Sequence, residues 1–229
     1  MDTVDREAYR RLDQFVDAAF AFAVTLLLIA VAEPPANLAD LKTALLRIPA
    51  SAAAFALIVL FWSAHRDFGR LVPRRDTLTT FLSLAIVFTV LVYVFPLRLL
   101  TQSAFHFLSD GRLPGEGLIN SMGDLQALYQ IYGLGFALLS GLYAVLFMRA
   151  AQLADSAERR EDAVRWRDPW TICAISGVLS ALIALAPLDE APWLPPTVYW
   201  LIPFAIWGRV AWRARASKAA RPSAAAEAA

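Results

Sequence analysis

Arg11 to Val31 read RLDQFVDAAFAFAVTLLLIAV. From Ala18 onward the stretch is apolar except for Thr25, as a helix facing lipid must be. Asp17 stands at its head and Asp13 one turn earlier. Two carboxylates at the mouth of such a helix need a reason. A helix N-terminus favours acids, which accounts for Asp13. Asp17 lies a turn deeper, with Asp13 as a like-charged i,i+4 neighbour, so it needs a partner on another helix.

The rest of the chain has the same character. Of its 229 residues 59% are hydrophobic, with a mean hydropathy of +0.52, where an ordinary soluble domain is nearer half apolar. The excess falls in six blocks of bilayer-spanning size, at about 15–32, 48–65, 78–100, 125–148, 170–187 and 198–212. These six spans form one all-α integral membrane domain over 1–212, with no internal repeat. Residues 213–229 form a low-complexity basic and Ala-rich tail whose composition suits disorder, its Arg-rich start near anionic lipid.

Basic residues set the orientation. Seventeen of the 21 Lys and Arg fall in the N-terminus, the second and fourth loops and the tail. The other side holds only Lys42, Arg47, Arg98 and Arg112. The positive-inside rule then puts both termini in the cytoplasm of a multi-pass protein of the inner (plasma) membrane. Trp62, Trp170, Trp207 and Trp212 fall at inner boundaries, and Trp193 and Trp200 near an outer one, as headgroup-zone rings should.

Local signals fill in the connections. Glu33-Pro34-Pro35 ends the first span. NLADLKTALLRIP (37–49) reads as a short amphipathic helix capped by Asn37, with Leu38, Leu41 and Leu45 on one face at the outer interface. Ser121-x-x-Asp124 is a capping-box signal for the fourth span. In the fourth loop Asp155 with Arg159, and Glu161 with Arg165, are i,i+4 pairs supporting a solvated helix.

Chemistry-bearing constellations are scarce. The sequence has no Gly-rich phosphate loop, no His/Cys set with metal spacing and no Ser/His/Asp group, so no enzyme, metal, cofactor or nucleic-acid role is expected. Cys173 stands alone. What remains is Asp17. The second span returns to its depth at FWSAHRDF (61–68), so His65 or Arg66 is the expected partner. Two roles stay open for that contact: tethering of the two helices, or direct handling of an ion or proton.

Several residues carry a family resemblance. Arg11-x-x-x-Phe15-x-Asp17, then Phe20-Ala21-x-Ala23-x-Thr25-Leu26-Leu27, resembles the signature of bacterial homologues of the lysosomal potassium channel transmembrane protein 175. Pro49-x-Ser51, Phe55 and Trp62-x-x-His65 resemble that family's second helix, and Phe95-Pro96 the end of its third. The resemblance covers about the first 100 residues; the last three spans match mainly in number and length.

The resemblance implies a six-helix subunit in a homotetramer whose first helix lines a central pore. Potassium and other monovalent cations would pass a hydrophobic constriction, not carbonyl rings; the TVGYG filter is absent. The constriction would fall at Phe22, Leu26 and Ile29, which share a helix face by spacing. Arg11, Phe15, Asp17, Trp62 and His65 would hold the cytoplasmic ends of the first two helices. Three positions depart from the pattern: Val16 for Ser, Ala18 for Gly, and Phe22 for Ile. Four Phe rings would close an axis more than four Ile. Thr25 could offer its hydroxyl to the pore or to its own helix. The alternative readings are a small proton-coupled secondary transporter using Asp17 and His65, and a non-conducting membrane scaffold of the same fold.

Overall fold

The computed structural model describes residues 3–29, 35–72, 75–115 and 119–226. Every regular element among them is helical: α1 (Thr3–Ile29), α2 (Leu38–Leu46), α3 (Ile48–Leu71), α4 (Thr77–Leu108), α5 (Met122–Leu153), α6 (Ala157–Ile183), α7 (Leu194–Trp200) and α8 (Ile202–Ala226). Four of them, α1 from Tyr9, α3, α4 and α5, are long and apolar enough to cross a membrane. The charged first half of α6 and the basic second half of α8 set those two apart from the other four.

Helix ends follow side-chain chemistry. Asn37 accepts from the Asp40 N–H to start α2, and Ser121 accepts from the Asp124 N–H to start α5. Asp76 and Thr79 form a full capping box at α4. The amphipathic α2 buries no residue and leaves Leu38, Leu41 and Leu45 exposed. The ion pairs Arg159–Asp155 (2.6 Å) and Arg165–Glu161 (2.9 Å) form as their spacing predicts.

Several boundaries differ from the sequence reading. The helix that holds the first span begins at Thr3, twelve residues before Phe15, because the charged segment ahead of Phe15 continues the same helix. Asp13 is therefore a mid-helix residue, and the dipole explanation for it fails. The fifth span is not separate from the solvated helix before it: both are α6, running through Pro169 and stopping at Ile183. The tail does not stay irregular, since its Ala-rich sequence extends α8 to Ala226. The break expected at Glu33-Pro34 lies outside the described residues.

The core is aromatic and tightly layered. The Tyr143 ring stacks on Trp170 at 4.7 Å and on Phe61 at 5.9 Å, and its hydroxyl donates to the Phe61 carbonyl at 2.6 Å. This ties α3, α5 and α6 together. The backbones of α5 and α6 approach closely at two glycines. A Cβ placed on Gly177 would lie 2.7 Å from the Gly133 carbonyl oxygen, and one on Gly133 would lie 2.8 Å from the Gly177 oxygen. Gly133-x-x-x-Ala137 faces Gly177-x-x-x-Ala181, a reciprocal small-residue contact of the kind membrane helices use.

Candidate functional site

The first helix has two unlike faces. Val16, Phe20, Ala23 and Leu27 are buried against α3 and α4. Their spacing of i, i+4, i+7 and i+11 is one helical stripe. The opposite stripe is open. Phe22 is 55% exposed and Ile29 68% exposed, with Phe15, Ala18 and Thr25 exposed alongside. Leu26 lies about 40° around the helix from Phe22 and is half-buried at the edge of the core. Phe22 and Ile29 thus carry the open apolar stripe, and Leu26 flanks it. The Thr25 hydroxyl donates to the Ala21 carbonyl at 3.0 Å, which satisfies it within its own helix.

The charged end of α1 is bonded to its neighbours at two levels. At the deeper level Trp62 Nε1 donates to Asp17 Oδ1 at 2.8 Å. The partner is the indole, not His65 or Arg66 as the sequence reading expected. The reason is rotation of α3: Trp62 faces α1, while His65 turns to α4 and pairs its Nε2 with Ser83 Oγ at 3.0 Å. Arg66 lies over the Trp62 ring, 4.8 Å from its centroid. It holds the indole in place as a cation–π neighbour without reaching the acid.

One turn nearer the end, Arg75 Nη1 lies 2.6 Å from Asp13 Oδ1. The Arg75 side chain is only 2% exposed. Its guanidinium also sits 5.4 Å from the Phe68 centroid, and its carbonyl accepts from the Tyr9 hydroxyl at 2.6 Å. A buried guanidinium without a carboxylate would be strongly unfavourable, so Asp13 is where it is because Arg75 is. Arg149, at the end of α5, donates to Asp76 Oδ2 at 2.6 and 2.9 Å and joins the α4 cap to the same end of the bundle. Burial opposes charge on Asp76, yet the Thr79 N–H and Arg149 prevail and hold its carboxyl below the usual value.

The structure thus joins Asp17 to Trp62 and sends His65 to Ser83. Arg11 and Phe15 stand on the exposed face, in line with Phe22, and not toward α3. Sequence reasoning missed Arg75, Ser83 and Arg149. Arg75 and Arg149 had entered only as topology charges, and a lone serine within an apolar span carries no signal of its own. No metal-binding cluster of His, Cys, Asp or Glu occurs among the described residues.

The fold and this face describe an all-helical membrane protein whose first helix keeps one apolar stripe uncovered. Residues 11–96 match the family described as the endosomal/lysosomal potassium channel TMEM175. A relative from Marivirga tractuosa, named a potassium channel, is 30% identical over 152 residues. That match takes in 62% of this chain, and the chain spans 60% of the relative's length. The potassium channel MtTMEM175, solved as a variant with a nanobody–MBP fusion protein, has a fold similar to this one. Its TM-score is 0.75 at 24% identity, covering 89% of this chain and 93% of that one. A lysosomal potassium-selective channel TMEM175 homolog from Chamaesiphon minutus gives 0.60 at 20% identity, covering 89% and 97%. The resemblance carried by the first hundred residues is therefore matched both in sequence, over residues 11–96, and in fold.

Proposed function

We propose that this chain is the subunit of a potassium-permeable channel of the inner membrane. Four copies would surround an axis with α1 innermost, each contributing six spans (α1, α3, α4, α5, α6 and α8) and both termini to the cytoplasm. The observation that carries the reading is the open stripe of Phe22 and Ile29 on a helix whose other face is fully packed. A single subunit supplies one such stripe, so a closed apolar ring needs several copies around a symmetry axis. Rings of this kind gate by dewetting, since a narrow apolar neck expels the water an ion must carry. Phe22, with Leu26 and Ile29 deeper, would form the neck.

The Trp62–Asp17 and Arg75–Asp13 contacts support the same reading. They fix the rotation of α1 against α3 and the α3–α4 loop, so the stripe keeps its aim. The cation would be the transported species, and no turnover chemistry is assigned.

Potassium flux from liposomes containing the purified protein tests this, with Phe22→Ala and Leu26→Asn alongside. The expected result is passive flux that widening or wetting the neck increases by tenfold or more. Slow, saturable, gradient-coupled uptake would instead mark a carrier. Absence of flux even in the opened variants would mark a scaffold and refute the channel reading.

A further inference from the structure

Asp168 on α6 is buried and gathers three guanidiniums. Its Oδ1 accepts from Arg167 Nη2 at 2.8 Å and Nε at 3.2 Å. Its Oδ2 accepts from Arg209 Nε at 2.7 Å and lies 2.7 Å from Arg213 Nη2. Arg209 and Arg213 are one turn apart on α8, so this carboxylate pins α8 to α6.

One carboxylate does not neutralise three guanidiniums. Among the described residues no second acid joins them. Asp155, just before α6, and Glu161 and Asp162 in its first turns lie on Arg159 and Arg165. The group therefore keeps an excess of about two positive charges on side chains that are 28% to 40% exposed. Each guanidinium has five N–H donors in a fixed fork. Arg209 gives Asp168 only its Nε, so its two Nη groups remain for another acceptor. The Arg209 plane is further held by Trp212, 4.9 Å from centroid to guanidinium carbon.

The surroundings are those of a headgroup zone. Trp207 and Trp212 are exposed on α8, and Phe204 and Val210 give the same helix an open apolar surface. Indoles prefer that depth of the bilayer, and planar guanidinium forks match phosphate oxygens.

We propose that Arg167, Arg209 and Arg213, grouped on Asp168, form a binding site for a phosphate ester, supplied by an anionic phospholipid headgroup or by a soluble phosphate. The inference rests on α6 and α8 lying in a bilayer, as in the reading above, but not on conduction. It is measured by bound mass and thermal shift, so it can fail while flux persists, or hold while flux is absent.

The test is native mass spectrometry of the purified full-length protein with phosphatidylglycerol and with phosphatidylcholine, and a thermal shift with excess inorganic phosphate. Selective retention of phosphatidylglycerol is expected. The Arg209→Gln/Arg213→Gln pair should weaken it by roughly 30-fold, the effect of two interfacial charges. Stabilisation by inorganic phosphate to the same degree would name a soluble anion as the source; a response to the lipid alone would name the headgroup. If the glutamine pair does not fold, the wild-type protein decides. Equal retention of the two lipids with no response to phosphate overturns the proposal, as does a folded glutamine pair that keeps the wild-type preference.

Discussion

Gly177→Ala adds one methyl group where the backbones of α5 and α6 approach closely. The new Cβ would meet the Gly133 carbonyl oxygen at 2.7 Å, the Ala137 nitrogen at 2.8 Å and the Ala137 Cβ at 3.0 Å. None of these atoms can swing aside by a rotamer change, so α5 and α6 must separate. Overpacking of this kind costs about 1–3 kcal/mol, and the upper half of that range applies where only backbone can yield. A gap of even ~0.5 Å also forfeits about a quarter of each dispersion contact along the seam. Against this, alanine gains up to about 1 kcal/mol over glycine in helix propensity. The net expectation is a loss of about 1–2 kcal/mol, or roughly 2–8 °C in Tm at 2–4 °C per kcal/mol for a chain of this size.

Gly141→Ala is the internal control. It lies on the same helix as Gly133, yet a Cβ there meets nothing within 4 Å. It should keep the propensity gain and match or exceed wild-type stability. Thermal unfolding of the purified protein in one detergent, followed by tryptophan fluorescence, compares the two. If Gly177→Ala melts with or above Gly141→Ala, the backbones of α5 and α6 do not approach as described.

Trp62→Phe removes only the indole donor to Asp17. It should lower stability by about 1 kcal/mol, below the roughly 1.5–3 kcal/mol of a hydrogen bond to a buried charged group, because Asp17 is exposed. Asp17→Asn, which keeps an acceptor, should be milder, and a reversed order in the melting series would refute the pairing. Asp76 titrates below its ordinary value of 3.8, so its stabilising contribution is complete above that value and disappears as pH falls through the lower folded one. Asp76→Asn should therefore melt lower than wild type at neutral pH and converge with it in strong acid; parallel curves across that range would contradict the Arg149 contact. Arg11 stands in line with Phe22 on the open face, and a ring of Arg11 side chains would repel cations at the mouth. Arg11→Gln should raise potassium conductance at low ionic strength, with the gain shrinking as salt screens the charge; a salt-independent effect would place Arg11 away from the path.

Short-range features were legible in the chain before any fold was known. Asn37 and Ser121 cap the helices their positions announce, and the Asp155–Arg159 and Glu161–Arg165 pairs form at i,i+4 as drawn. Both kinds of contact close within one turn, so composition and spacing specify them. The true start of α1 was not legible. A polar segment that continues a helix has the same composition as one that leaves it, and only the contacts of its Tyr9 and Asp13 with Arg75 reveal what holds it as helix.

Hydropathy alone determined that this is a helical membrane protein, and residue spacing that Phe22, Leu26 and Ile29 lie on one side of its first helix. Which face that is, open or packed, was decided only in three dimensions. The same holds for the donor that reaches Asp17. Trp62, His65 and Arg66 lie within about a turn of one another, and the rotation of α3 selects among them. The Gly133–Gly177 approach and the Arg209 and Arg213 guanidiniums on Asp168 also join residues some forty positions apart. Contacts at such separations depend on how rigid helices rotate and cross, and that is set by the whole core at once.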